Sequence, residues 1–515
     1  MHGLAFAGSV DEADLVTFAD RFASGGGLKK YGSALRWHGR DAVKLPNRRD
    51  GRTSGSVKKK GFKPISHLVN LSADHSETIF MPGQEAETQP EPLVPPVPDS
   101  IEHTGLSAAI LEQLILKLLY FRGEVSGRDL ALAMGLRFSA IECLLDTFKR
   151  NQAVQVKRSL GMGSVSAQFS LTEIGRTQAR EFLETNQYCG PAPVPLYQYT
   201  YFVRRQRPPD GWLTMEALRR AYRRMVVTER ILSQIGPAVS SGNSFLIYGQ
   251  PGNGKTYLAE ALGNLDQSCI YLPYAIEYQG VIVQVYDPAY HQVVQDDEPV
   301  SALAFELPHD GRWFKCRRPF IVTGGELSME MLDLSYNEIS KVYDAPFQLK
   351  ANNGIYLIDD FGRQKATPTE VLNRWIVPME RRVDYLSLRS GGKITVPFEA
   401  FLIFSTNLKP DGLGDEAFLR RIQYKMLVRN PSAEEFEQIF YSYCDSQELP
   451  YPEGIAGRFI DRNYKASGKP FRRCHPRDVL SHALDLINFE RLPYELTDEL
   501  LGRAFESCFV EDPDD

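Results

Sequence analysis

The chain has 515 residues, of which 24% are charged and 43% hydrophobic, the usual balance of a globular protein. A chain of this length is expected to form about two to four domains. The formal net charge of -6 excludes a protein that binds nucleic acid over its whole surface.

None of the seven cysteines has C-x-x-C spacing, so neither a zinc knuckle nor a redox dithiol is predicted. Widely scattered cysteines indicate a reducing compartment. Met1–Leu15 lacks the basic and apolar regions of a secretory signal, and no stretch reaches the ~18 apolar residues of a membrane span. A cytoplasmic protein without a membrane partner is therefore expected.

Residues 1–100 are predicted to be a largely disordered, basic and Pro-rich arm. The run 29–63 contains twelve lysines and arginines, opposed only by Asp41 and Asp50. Such a run is typical of a solvated segment, which we favour. It can also act as an electrostatic tether to nucleic acid or to an acidic partner. Pro90–Pro98 is predicted to be a stiff, extended linker.

Residues 101–190 alternate between helical and strand patterns. The predicted elements are a helix at Ser107–Arg122, a helix from Ser126 to Met134, a helix Ala140–Arg150 capped by Ser139, strands Val154–Lys157 and Ala167–Leu171, and a helix that Thr172 opens. This order resembles a winged-helix domain.

A winged helix can contact DNA or protein. The helix that would read DNA, 140–151, presents Glu142 and Asp146 and has basic residues only at its end. Major-groove readers place Arg, Lys, Asn or Gln in the first turns of this helix. The basic residues Lys157 and Arg158 of the wing, in contrast, favour DNA binding. We favour a protein-contacting or structural role over sequence-specific DNA binding.

Residues 191–235 are predicted to form a linker and one basic amphipathic helix, Thr214–Ile235. Strands and helices alternate across 236–430, which predicts an α/β core with a parallel sheet. Residues 431–515 carry only helical patterns and are expected to form a small α-helical lid.

The strand Phe245–Tyr248 runs into a G-x-x-x-x-G-K-T motif, and a helix over Tyr257–Leu262 follows. This is the P-loop pattern in its strand–loop–helix context, whose backbone amides and helix N-terminus hold phosphates. Lys255 is predicted to contact the β- and γ-phosphates of ATP, and Thr256 to bind Mg²⁺. The predicted ATP-binding residues are Gly249, Gln250, Pro251, Gly252, Asn253, Gly254, Lys255, Thr256 and Tyr257.

A second apolar strand, Ile355–Ile358, ends in Asp359 and Asp360. Asp359 is predicted to reach Mg²⁺, directly or through water, and Asp360 to orient or deprotonate the attacking water. A third apolar strand, Phe401–Phe404, leads to Asn407.

These motifs, with Asp415–Ile422 and Cys474–Val479, resemble the AAA+ ATPases over about residues 210–510. The resemblance implies that Asn407 holds the attacking water and that Arg420 is an arginine finger for the neighbouring subunit, with Arg421 as the alternate. It also implies that Arg477 contacts the γ-phosphate from the lid. His475 is interpreted as structural. The family usually has Glu where this chain has Asp360, so slow turnover is a fair hypothesis.

The separation of Lys255 from Asp359 exceeds the usual one, and the excess lies at about 276–350, where strand-like runs predict a β-rich insertion. It either faces a partner or elaborates the sheet edge. The resemblance implies a ring-forming homo-oligomer, most often a hexamer. We favour ATP-driven remodelling of a client protein. The alternatives are a DNA-associated ATPase that uses the winged helix and the arm, and a slow nucleotide switch.

Overall fold

The computed structural model describes residues 93–158, 163–209, 211–265, 268–294, 307–413, 419–465 and 468–509, which belong to one unit by their internal contacts. The basic run 29–63 and most of the predicted arm lie outside the described residues. Residues 93–98 pack on the protein, since Pro95 and Pro98 are buried and the Asp310 amide donates to the Pro95 carbonyl at 3.0 Å. The segment predicted to be a stiff, extended linker is thus in contact with the fold over its described residues, 93–98.

The first part of the fold consists of helices around a small antiparallel sheet with strand order β1-β3-β2. In chain order the elements are α1 (Ile101–Thr104), α2 (Ala108–Arg122), β1 (Val125–Ser126), α3 (Gly127–Ala133), α4 (Phe138–Arg150), β2 (Val154–Arg158), β3 (Gln168–Leu171) and α5 (Glu173–Thr185). Side chains such as Leu111, Leu145 and Phe169 form its core. The predicted order of helices and strands is confirmed.

Two of the three predicted helix caps in this part are correct. Ser126 accepts a hydrogen bond from the Asp129 amide, and Thr172 accepts one from the Gly175 amide. Ser139 is not a cap, because α4 begins one residue earlier, at Phe138. The extended residue at its start is Arg137.

The next segment contains β4 (Val194–Pro195), α6 (Leu196–Arg205), α7 (Met215–Ala221) and α8 (Glu229–Ser241). The prediction of a single helix over Thr214–Ile235 is wrong, since the chain leaves the helix at Tyr222 and starts α8 after Thr228. The β-branched run at 226–228 disfavours a continuous helix. Tertiary contacts hold the break, because the Tyr222 hydroxyl donates to the Leu258 carbonyl at 2.7 Å.

The remaining elements of the core follow in chain order. They are β5 (Phe245–Tyr248), α9 (Lys255–Leu262), β6 (Cys269–Pro273), β7 (Ala275–Tyr278), β8 (Val281–Gln284), β9 (Trp313–Arg317), β10 (Phe320–Thr323), β11 (Ser335–Asn337), β12 (Val342–Asp344), α10 (Phe347–Lys350), β13 (Ile355–Ile358), α11 (Pro368–Arg374), α12 (Ile376–Arg381), β14 (Val383–Ser387), β15 (Lys393–Pro397), β16 (Phe401–Thr406) and β17 (Tyr424–Leu427).

The central sheet has the strand order β10-β13-β16-β5-β17, and all of its neighbouring strands are parallel. Alternate side chains point to opposite faces of a strand. Leu246 and Phe404 accordingly join one apolar core, while Ile247 and Ile403 join the core on the other face. Burial on both faces explains why these strands are continuous apolar runs. The predicted parallel α/β core is confirmed.

The segment predicted as one insertion, 276–350, contributes to three sheets. A second five-stranded sheet has the order β11-β12-β8-β7-β4 and takes its last strand from the predicted linker at Val194–Pro195. β9 pairs with β6, whereas β10 is an edge strand of the central sheet. The apolar run at Phe320–Thr323 thus forms the edge of the central sheet, in agreement with the second alternative, whereas the other strands of the segment pair outside that sheet.

The C-terminal segment is helical in its described part, as predicted. It contains α13 (Ala433–Ser446), α14 (Ile455–Phe459), a π-helical turn at Ile460–Lys465, α15 (His475–Glu490) and α16 (Asp498–Cys508). Phe436, Phe459 and Leu480 are buried in its core. In the part of the chain that the structure describes, none of the helices has the length and apolarity that crossing a membrane requires.

Candidate functional site

The G-x-x-x-x-G-K-T segment lies between the end of β5 and the start of α9. Two of its glycines are required by their backbone and by their surroundings. Gly249 has φ 149°, and a Cβ there would lie 2.3 Å from the Val428 carbonyl oxygen. Gly252 has φ 78°, and its Cβ would lie 2.7 Å from Cys474 Sγ. Larger residues would disturb the loop at both positions.

Lys255 is the first residue of α9, and its side chain returns over the loop. Its Nζ donates to the Gln250 carbonyl at 3.1 Å and to Asn407 Oδ1 at 2.6 Å. Burial lowers the pKa of Lys255, and the carboxylates of Asp360 and Asp359 oppose this shift. The ammonium group is therefore held by neutral oxygens, near carboxylates, where phosphate oxygens would provide stronger partners.

The two acidic residues at the end of β13 contact different parts of the site. Thr256 Oγ1 donates to Asp359 Oδ2 at 2.8 Å, which places a hydroxyl and a carboxylate side by side. The backbone of Asp360 is in the left-handed region, with φ 49°. Its Oδ1 accepts a hydrogen bond from Asn407 Nδ2 at 2.8 Å. The left-handed conformation is uncommon for a non-glycine residue and marks a specific local constraint.

Asn407 connects the lysine to this acidic pair. It follows β16, which lies between β5 and β13 in the sheet, so that the carboxyl ends of the three strands meet. Its amide oxygen accepts from Lys255 and its amide nitrogen donates to Asp360. The structure therefore brings Lys255, Thr256, Asp359, Asp360 and Asn407 into one hydrogen-bonded site.

The C-terminal segment contacts the loop through residues 472–474, a contact that the motifs did not predict. The Cys474 amide donates to the Gly252 carbonyl at 2.9 Å. Asn253 is fully buried, and its Nδ2 donates to Asn430 Oδ1 at 2.8 Å. The same oxygen accepts from Arg472 Nη1 at 2.5 Å. Positive charge from Arg472 contributes to lowering the pKa of Lys255, so the two cations lie close together.

Arg473 secures the same contact from the other side. Its Nη1 donates to the Val226 carbonyl and its Nη2 to Glu435 Oε2, both at 2.9 Å. Arg477 behaves differently, because its guanidinium pairs with the adjacent Asp478 and its side chain is 64% exposed. Sequence analysis thus missed Arg472, Arg473 and Asn430. The only signal was the Arg-Arg pair ahead of Cys474.

Arg420 and Arg421 lie on the side of the sheet where β5 begins, whereas this site lies where the strands end. The Arg421 carbonyl accepts from Ser244 Oγ, immediately before the start of β5, while the phosphate loop follows the end of that strand. Arg421 Nε also donates to Glu380 Oε1 at 2.8 Å, and Arg420 is exposed. Residues 414–418 of the motif lie outside the described residues. These arginines therefore do not join the site of their own chain.

The remaining predicted residues lie on the loop or beside it. Pro251 is exposed at the turn, and Gly254 precedes α9 in the left-handed conformation. Tyr257 is 55% exposed on the first turn of α9. In the described part of the chain, no three His, Cys, Asp or Glu side chains form a metal-binding group. Mg²⁺ needs no such group, since it commonly takes one or two protein ligands with phosphate oxygens and water.

The family model of a domain of unknown function, DUF8689, matches residues 432–507, within the C-terminal helical segment. No curated protein has significant sequence similarity to the chain.

Two kinds of solved structure align with the fold. NtrX from Brucella abortus aligns with 12% identity and a TM-score of 0.33, covering 64% of this chain and 60% of NtrX. RuvB from Thermotoga maritima, described as a Holliday junction branch migration motor, aligns with 12% identity and a TM-score of 0.31 over 60% of this chain and 74% of RuvB. A point mutant of the same RuvB gives 13% identity and a TM-score of 0.32, covering 58% of this chain and 73% of the mutant. Likeness at this level carries no inference about activity or partners.

Proposed function

We propose that this protein binds ATP with Mg²⁺ and hydrolyses it as an AAA+ ATPase. The observation that carries the proposal is the single site in which Lys255 and Thr256 of the phosphate loop meet Asp359, Asp360 and Asn407. The three groups of residues come from three adjacent strands, and their convergence is what phosphoryl transfer on a P-loop requires.

Thr256 and Asp359 would hold the magnesium ion. Their oxygens are 2.8 Å apart and are of the hard type that Mg²⁺ prefers. Bound Mg²⁺ would neutralise charge on the β- and γ-phosphates. Lys255 would exchange Gln250 and Asn407 for phosphate oxygens, which are stronger partners for an ammonium group.

Asp360 and Asn407 would position the attacking water. The hydrogen bond from Asn407 Nδ2 occupies Asp360 Oδ1 and leaves Oδ2 as the acceptor for a water proton. An aspartate is one methylene shorter than the usual glutamate, so its carboxylate sits further back and slow turnover is expected. This geometry is also compatible with a nucleotide switch that hydrolyses ATP slowly.

Hydrolysis would be completed by an arginine from a second copy of the chain. Arg420 is our choice because its side chain is exposed, whereas that of Arg421, the alternate, is partly buried. Both arginines lie at the sheet edge away from their own phosphate loop, as a finger for a neighbouring subunit must. A ring, most often of six subunits in AAA+ proteins, would place this edge against the next site.

Residues 101–190 would be a winged-helix domain that contacts a client protein. The exposed positions of α4 include Glu142, Cys143 and Asp146, and its basic residues, Lys149 and Arg150, lie only in the last turn. This face disfavours base reading in a DNA groove. Remodelling of a partner protein therefore remains our first proposal, and DNA-associated ATPase activity the second.

Nucleotide affinity in Lys255→Ala tests the phosphate site. The variant should lose at least about tenfold in ATP affinity, because a charge-assisted contact is removed. Arg503→Ala, which removes an exposed lid arginine, is the matched control. ATP binding equal to that of the parent would contradict the proposal.

Mixed subunits test the finger. Arg420→Ala should bind ATP normally and hydrolyse it poorly, and mixing it with Lys255→Ala should restore part of the activity. The second subunit still supplies a finger to the intact site of the first. Failure of the mixture to exceed the sum of its parts would rule out a contribution from Arg420 in trans.

A gel-shift titration across salt tests the DNA alternative. Binding through phosphates should weaken steeply as salt rises. No shift at low salt would eliminate the DNA-associated function and leave the protein client as the remaining partner.

A further inference from the structure

A second cavity lies at the amino-terminal edge of the central sheet, away from the phosphate loop. Its volume is about 240 Å³. Its walls include the starts of three strands, at Pro319, Ile355 and Phe401, and the C-terminal ends of α8 and α9. None of the predicted nucleotide-binding residues lines it. The cavity is therefore separate from the nucleotide site.

Arginines are prominent in the described lining of this cavity. Among the described residues, Arg207, Arg318 and Arg382 line it together with the carboxylate of Glu399. Glu399 is buried, and both of its oxygens accept hydrogen bonds from Arg207.

Arg382 is the cation with free hydrogen-bonding capacity. Its Nη2 donates to the Gly242 carbonyl at 2.6 Å and to Asn243 Oδ1 at 3.1 Å. Within the described part of the chain, its Nε and Nη1 have no hydrogen-bond acceptor. Burial lowers its pKa, Glu399 opposes this shift and Arg207 adds to it. A partly desolvated cation with unused donors beside a second cation favours an anion.

Apolar groups line the rest of the cavity. The indole of Trp212 and the side chains of Leu262, Leu265 and Phe401 belong to this lining, together with Pro208 and Pro319. Small-molecule sites typically combine such an apolar lining with a few placed polar groups.

We propose that this cavity binds a small organic anion, with its acidic group on Arg382 and Arg207 and its apolar body against Trp212 and Phe401. The ligand class is a carboxylate or phosphate joined to one ring or a short aliphatic chain. This site is additional to the nucleotide site and uses none of its residues.

Phenylphosphonate is a suitable probe because it combines one ring with a stable dianion. Calorimetric titration should use the Lys255→Ala background, so that the phosphate loop cannot account for binding. Saturable binding in the millimolar range is expected for a ligand of this size. Inorganic phosphate has the anionic group without the ring, and benzyl alcohol has the ring without the anionic group. Each should bind more weakly than phenylphosphonate. An absence of saturable phenylphosphonate binding would overturn the proposal.

Two variants locate the probe in the cavity. Arg382→Met should weaken phenylphosphonate binding about tenfold or more, whereas the matched Arg503→Met variant should not change it. Trp212→Ala leaves the Arg382 contacts intact and serves if Arg382→Met does not fold. It should weaken binding of phenylphosphonate but not of inorganic phosphate. Equal affinity in the cavity and control variants would place the probe elsewhere and refute the assignment.

Discussion

The substitution Arg472→Met tests which arginine of the C-terminal segment contacts the nucleotide. Arg472 donates to Asn430 Oδ1, the oxygen that also binds Asn253 of the phosphate loop. Burial is the main cause of the lowered pKa of Lys255, and the positive charge of Arg472 adds to it. A triphosphate bound at the loop would offer anionic oxygens to both cations. We therefore expect Arg472 to contact the terminal phosphates.

The size of the effect follows from the type of contact. A hydrogen bond to a charged group contributes about 1.5–3 kcal/mol, which corresponds to roughly 10- to 150-fold in affinity. Removing the cation also relieves its repulsion with Lys255 in the free protein, so the lower half of this range is expected. Methionine keeps much of the side-chain volume. Because ADP lacks the γ-phosphate, Arg472→Met should weaken ADP binding less than ATP binding.

Equilibrium titration with fluorescent ATP and ADP analogues measures both losses. The control is Arg477→Met, because Arg477 pairs with Asp478 and is mostly exposed. It should change ATP affinity by less than about twofold, as expected for an exposed ion pair. The opposite result, with a loss only in Arg477→Met, would refute the assignment to Arg472. It would show instead that the lid turns Arg477 toward the γ-phosphate when ATP binds.

Three further predictions concern hydrolysis and stability. Asp360→Asn should bind ATP but lose most of its turnover in a phosphate-release assay, because the amide cannot accept the water proton, and parental turnover would remove Asp360 from catalysis. Arg312→Met should lower the free energy of unfolding in urea by about 3–5 kcal/mol, because it strands the buried carboxylate of Asp310; a change below about 1 kcal/mol would contradict this. Burial lowers the pKa of His475 to about 4, so the folded state resists the proton that the unfolded chain binds near pH 6.5. Up to about 3 kcal/mol of stability, present above pH 6.5, should be lost as the pH falls toward 4, and His475→Gln should lose less over this window.

Sequence analysis succeeded where one short segment contains both the pattern and its structural context. The strand, the loop and the helix around Lys255 are contiguous, and an apolar strand leads directly to Asp359. The meeting of Asn407 with both of them follows from the rule that parallel strands end at one edge. The role of each residue in hydrolysis stays a prediction.

Sequence analysis failed where tertiary contacts override local preference. The basic stretch Thr214–Ile235 has helical periodicity, but Tyr222 bonds to α9 and the Val226 carbonyl accepts from Arg473, so the helix is broken there. Local periodicity cannot anticipate such a contact, because Arg473 lies 247 residues after Val226 in the sequence. The sequence did not indicate Arg472 for the same reason, because the docking of the C-terminal segment decides which side chains lie near the loop, and the role of Arg477 stays a prediction.

The contacts at the carboxyl ends of the central strands can be predicted from sequence more readily than those at the amino ends. At the carboxyl ends of β13 and β16, each strand leads to its own polar residues, and parallel pairing brings these residues together. At the amino edge, Arg207 meets Glu399 across 192 positions of sequence, and Arg382 bonds to Gly242 across 140. Neither pair forms a motif, and each arginine alone indicates only a solvated surface. The placement of Arg382 beside the Arg207–Glu399 pair becomes visible only in the structure. Unassigned anion sites in such folds are therefore best sought by matching buried arginines to their carboxylates in the structure, since no local pattern marks them.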